Sequence, residues 1–223
     1  MDEYSDFVTA PNIKAKSTKE LQNALRVIIR FYNQYHHRIE EIVCDPEKNL
    51  LAMREFLQSL GIRLHESIPG LHERKVERTI RTIQDKERTL KATLPYELPQ
   101  FLDGELRNTV ADLYNAMPTV NTGTRTPFEL VTGTRPIQHN FAFSQPGLFC
   151  HSSTKQSNTD SNVDYGIIVG FTRDMRNKYR VYFPLQRTIL IRGSFQTLPA
   201  IPPEWGWTPR LHRRVTPAQQ QPS

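Results

Sequence analysis

Residues 73–94 constrain this chain more than any other stretch. Val76, Ile80, Ile83, Leu90 and Leu94 recur at helical spacing, so one side of a helix over 73–93 must lie on a core. Glu77, Arg81, Gln84 and Arg88 follow at i, i+4, i+7 and i+11 along another side, one acid first and cations beyond it. A carboxylate there suits a metal ion and the arginines suit phosphates. The same pattern also describes a solvated face laced with Glu–Arg pairs. Pro95 and Pro99 end the helix.

The preceding residues alternate strand and helix, which predicts an α/β layer. Ser17 and Glu20 fit a capping box, and Leu21, Leu25, Ile28, Phe31, Tyr32 and Tyr35 trace a helix ending near His37. Ile39 to Cys44 reads as a strand with Asp45 at its end. Pro46 then opens a helix to Leu60, closed by Gly61, and Ile62 to His65 forms a short strand. Asp45 reads either as a helix N-cap or as a metal ligand at the carboxyl edge of the sheet. Residues 4–13 read as extended, 100–117 as a helix with Leu102, Leu106, Val110 and Leu113 inward, and Thr126-Pro127 as the start of a helical turn.

The texture changes after about residue 140. Ser152 to Asn162 is a polar linker, and three β-rich runs follow at 166–171, 178–183 and 187–192, which suggests a small barrel. Trp205 and Trp207 suit either stacking on bases or docking on the core.

A length of 223 residues holds one medium domain and a small one. A net charge of +6 makes a polyanionic partner plausible. The excess gathers on the 72–91 helix and around Arg210, Arg213 and Arg214, where a plain basic end is the other reading. No apolar run is long enough for a membrane span, and the start lacks a signal-peptide pattern. Cys44 and Cys150 form no disulfide framework or zinc knuckle. His36-His37 suit a helix end, and His72 and His151 have no partners at ligand spacing.

Taken in order, these segments resemble the catalytic core of retroviral-type integrases, specifically those of copia-type retrotransposons. The resemblance starts at Asp2-Glu3-Tyr4-Ser5, similar to the family's second strand. It continues through Lys16-Ser17-Thr18-Lys19-Glu20, Cys44-Asp45-Pro46-Glu47, Leu60-Gly61-Ile62 and Val76-Glu77-Arg78-Thr79-Ile80-Arg81. Thr126-Pro127-Phe128-Glu129-Leu130-Val131-Thr132-Gly133 looks like the segment that closes such cores, and Tyr165 to Leu198 resembles the barrel that follows.

The resemblance implies an α/β fold: an incomplete RNase H-like integrase core, with a mixed sheet and flanking helices, over 1–140. A small SH3-like β-barrel over 141–200 and an irregular basic tail over 201–223 follow. It implies Asp45 and Glu77 as catalytic, metal-binding acids and Mg2+ (or Mn2+) as cofactor. Lys75, Arg78, Arg81, Lys86 and Arg88 become contacts to DNA, both element ends and target. A homo-oligomer is admitted, no membrane is involved, and the nucleus is the site of action. In the family two ions about 4 Å apart activate the attacking hydroxyl and stabilise the leaving oxygen.

Three departures qualify this. Only 31 residues separate Asp45 from Glu77, and the loop Ser67 to Glu73 replaces the usual Pro-rich turn. The first strand with its acid, and the zinc-binding module before it, are expected to be absent. Asp2 resembles a non-catalytic aspartate. This predicts weak metal binding, unpaired backbone groups beside the lost strand and no strand transfer. The alternative function is a non-catalytic DNA-binding module derived from an integrase.

Overall fold

The computed structural model describes residues 1–13, 15, 17–67, 73–137, 142–150, 163–173, 178–202 and 205–207. The expected linker 152–162, His72, His151 and the tail arginines lie outside the described residues.

Helix α1 (Thr18–Gln34) starts where Ser17 accepts the Glu20 N–H at 3.3 Å. It ends in a Schellman turn: His36 takes φ 62°, and the His37 N–H donates to the Tyr32 carbonyl at 3.0 Å. His36 thus fills a position that glycine usually takes, and the histidine pair serves the helix end.

Strands β1 (Glu41–Cys44) and β2 (Arg63–Glu66) are parallel, with Glu41 opposite Arg63 and Cys44 opposite Glu66. Between them the expected helix 46–60 is split into α2 (Lys48–Leu51) and α3 (Arg54–Ser59). The break is a tightened turn in which the Met53 N–H donates to the Leu50 carbonyl at 3.0 Å. It lets Met53 and Leu57 enter one cluster with Ile62 and Leu64, beneath Leu21, Leu25, Ile29, Ile42 and Cys44. Cys44 is a small apolar filler there.

Among the described residues these two strands form the whole of the first sheet, so the expected mixed sheet is not present. No strand forms over 1–13 either. Local bonds win instead: Asp2 accepts the Tyr4 N–H at 3.0 Å and the Ser5 hydroxyl at 2.6 Å, which closes a turn. In place of a ladder, the Asn115 side chain accepts the Val8 N–H at 2.8 Å and donates to the Val8 carbonyl at 2.7 Å.

Helix α4 (Glu73–Thr93) has the bounds its periodicity predicts. A 3-10 turn (Gln100–Leu102) leads into α5 (Asp103–Asn115), which packs along α4. Helix α6 (Pro127–Thr132) is a full capping box. The Thr126 hydroxyl accepts the Glu129 N–H at 3.0 Å, the Glu129 carboxylate accepts the Thr126 N–H at 2.8 Å, and Gly133 closes the helix at φ 71°.

Five antiparallel strands follow: β3 (Pro146–Cys150), β4 (Val163–Phe171), β5 (Tyr179–Phe183), β6 (Thr188–Arg192) and β7 (Phe195–Thr197), in the order β6-β5-β4-β3-β7. The outer strands β6 and β7 are joined by Gly193 and Ser194 alone, a reach of about 11 Å. In a flat sheet of this width they would lie about 19 Å apart, so the sheet rolls. Phe149, Ile168, Tyr179, Val181 and Phe183 are buried together on one face of it. On the other face Ile167, Val169 and Tyr182 pack with Leu102, Leu106 and Val110, and with Ile83 and Val8. One apolar cluster therefore joins residues on both sides of position 140.

Candidate nucleic-acid interface

Helix α4 buries Thr79 and Ile83, and Leu94 is buried just past its end. Its first half is less covered than its periodicity predicts, with Val76 and Ile80 42% and 50% exposed. The reason is length: α5 has 13 residues against 21 in α4, about 20 Å against 32 Å.

On the side away from Ile83 run Arg74, Arg78, Arg81 and Arg88, all exposed. Helical spacing lines them in one stripe. Arg78 and Arg81 have no acidic partner among the described residues. Arg88 pairs with Asp85 at 2.5 Å in the open, an arrangement that contributes little. The cations next to α5 differ, since Arg107 meets Glu87 (2.8 Å), Lys91 meets Asp103 (2.6 Å), and Arg173 meets Asp112 (2.6 Å). Arg74 belongs to the stripe, although the sequence pattern did not single it out.

The two lysines expected on this surface lie off the stripe. Lys86 is half-buried on its flank. Lys75 turns to the N-terminal segment, its Nζ 2.5 Å from Asp6 Oδ1 and donating to the Glu3 carbonyl at 3.0 Å.

Asp6 is a hub that sequence reasoning missed. It is 3% exposed, with φ 58°. Its Oδ2 accepts the Thr119 hydroxyl at 2.8 Å and the Asn121 amide at 3.0 Å, so one carboxylate ties the N-terminal segment, α4 and the 119–121 turn. Burial pushes its carboxyl up. Hydrogen bonds from Lys75, Thr119 and Asn121 and the Lys75 charge outweigh that, and the net is below the ordinary range. An aspartate followed by aromatic and apolar residues offered no pattern to reveal it.

Asp45 is exposed at the carboxyl end of β1 and accepts the Ser67 hydroxyl at 3.1 Å. It is not an N-cap, because Glu47 holds that position on α2. Glu77 is exposed in the early turns of α4. Among the described residues no three His, Cys, Asp or Glu side chains come together as a metal-ligand set. Among the described residues no third such side chain therefore joins the two motif acids. A groove of about 780 Å³ between α5, α6 and the end of β4 includes neither acid, and its charges pair internally, Asp112 with Arg173 and Glu129 with Arg135.

Trp205 and Trp207 pack against the cluster that joins the helices to the rolled sheet, and the Trp207 ring lies 5.0 Å from Tyr96. Docking, not base stacking, occupies them. Among the described residues no helix is long and apolar enough to cross a membrane.

No family model matches the sequence, and no curated protein does. Among solved structures, the chain is similar to the catalytic core domain of BIV integrase at 19% identity and a TM-score of 0.44, covering 57% of this chain and 78% of that one. It is also similar to a chain of the simian T-cell lymphotropic virus intasome in complex with PP2A regulatory subunit B56 gamma, at 16% identity and a TM-score of 0.48, covering 91% and 71%. Both likenesses are distant.

Proposed function

We propose that this chain is an integrase-derived DNA-binding module of a copia-type retrotransposon, with the rolled sheet as its SH3-like β-barrel. The order of the sequence motifs supports the origin. The observation that carries the binding is the stripe on α4, where Arg78 and Arg81 keep their charge free while other arginines near α5 are paired.

Guanidinium groups recognise phosphate through paired N–H donors, and binding releases condensed counterions. If Arg74, Arg78, Arg81 and Arg88 each neutralise one phosphate, the logarithmic salt slope is about −3.6 on duplex DNA. Such contacts position the duplex and carry no sequence choice. Mg2+ (or Mn2+) at Asp45 and Glu77 is expected to bind weakly, and no chemical step is drawn through it.

The test is fluorescence anisotropy of a labelled duplex across a salt series. Arg78→Glu with Arg81→Glu should weaken binding at least about tenfold, since each tenfold is 1.4 kcal/mol. Asp45→Ala with Glu77→Ala should leave affinity intact. Unchanged affinity after the charge reversal would sink the proposal. In a strand-transfer assay with either ion, Asp45-dependent product would instead restore the enzyme reading.

A further inference from the structure

Strand β6 pairs with β5 alone, and among the described residues its outer edge has no backbone partner. It holds no proline or lysine to blunt that edge. Leu190 packs into the roll, while Ile189 and Ile191 point to the other face and are 38% and 51% exposed. Ile189 stands opposite Tyr182 in the ladder, and the Tyr182 ring lies 5.1 Å from that of Phe101, which is 62% exposed. An open strand edge and an exposed apolar patch thus coincide, the combination that marks an association surface.

We propose that two copies of this chain associate through β6, antiparallel and related by a two-fold axis at Leu190. The sequence Thr188-Ile189-Leu190-Ile191-Arg192 fits itself in that register. Ile189 falls opposite Ile191 of the second copy, Thr188 opposite Arg192, and Arg187 opposite Gly193. Apolar side chains meet, and no two cations stand face to face. The same outer face brings Phe101 of both copies to the rim. Arg192 now donates to the Ile191 carbonyl at 2.9 Å, a single side-chain bond that pairing replaces. The contact is one five-residue strand edge with Ile189, Ile191 and Phe101 beside it, so a reversible, concentration-dependent dimer is expected. It stands apart from the arginine stripe and does not depend on DNA binding.

Sedimentation velocity of the full chain over a concentration series tests this. The protein should pass from monomer to dimer, and Ile191→Lys should weaken self-association at least about tenfold with an unchanged circular-dichroism spectrum. A second test fixes the register. With Cys44→Ser and Cys150→Ser in place, Ile189→Cys plus Ile191→Cys together should oxidise to a covalent dimer, and either cysteine alone should not. A wild-type chain that stays monomeric, a lysine variant that dimerises as before, or single cysteines that cross-link as well as the pair would each overturn the proposal.

Discussion

Replacing Lys75 with methionine isolates the Asp6 hub. The substitution keeps helix propensity and most of the stem but takes an ammonium from 2.5 Å beside a carboxylate whose side chain is 4% exposed. Removing one partner of a fully buried ion pair costs about 3–5 kcal/mol. Two features reduce that here. The Lys75 side chain is 39% exposed, so solvent screens part of the attraction, and Thr119 and Asn121 still donate to Oδ2. A loss of about 1–3 kcal/mol is expected, in line with leaving a buried acceptor partly unmet. The pH dependence has a definite sign. The folded carboxyl lies below its unfolded value of about 3.9 because its donors outweigh burial. Its contribution is therefore complete above that unfolded value and lost as pH falls through the folded one. Urea unfolding followed by circular dichroism should show the gap between wild type and Lys75→Met at neutral pH, shrinking toward pH 3. Equal stability at neutral pH, or a gap that persists in acid, would refute the reasoning.

Two further substitutions test the packing. A Cβ on Gly166 would sit 2.6 Å from Val181 Cγ1 and 3.1 Å from Phe183 Cε1, so Gly166→Ala should destabilise the chain by about 1–3 kcal/mol through overpacking, read as a lower melting temperature. Asn115→Leu removes both bonds to Val8 and should cost about 1–3 kcal/mol for each buried group left unpaired. Faster amide exchange at Val8 should accompany it.

What could be read from the sequence was local and repetitive. The bounds of α4 followed from uninterrupted amphipathy and two prolines, the start of α1 from its cap, and β5 and β6 from runs of β-branched and aromatic residues. What stayed hidden depends on distant partners. Strand β3 begins Pro146-Gly147, which reads as a turn until Phe195 is known to lie against that glycine, where an added Cβ would be 2.9 Å from Phe195 Cδ2. Strand β7 has three residues and exists only because β3 receives it. The motif acids were legible as residue types in a familiar order. Their surroundings were not, because Ser67 beside Asp45 and the absence of a third ligand among the described residues are facts of three dimensions. Lys75 and Arg78 look alike on paper, yet one is held by Asp6 and the other is open to a partner.

The clasp between Asn115 and Val8 spans 107 positions, which has a consequence for biogenesis. At about 5–20 residues per second, a ribosome needs several seconds to deliver the clasping residue after the one it holds. Throughout that interval Val8 lacks both of these bonds, and the segment around it is held first by α1, where Phe7 stacks on Phe31 and the Tyr32 hydroxyl donates to Asp2.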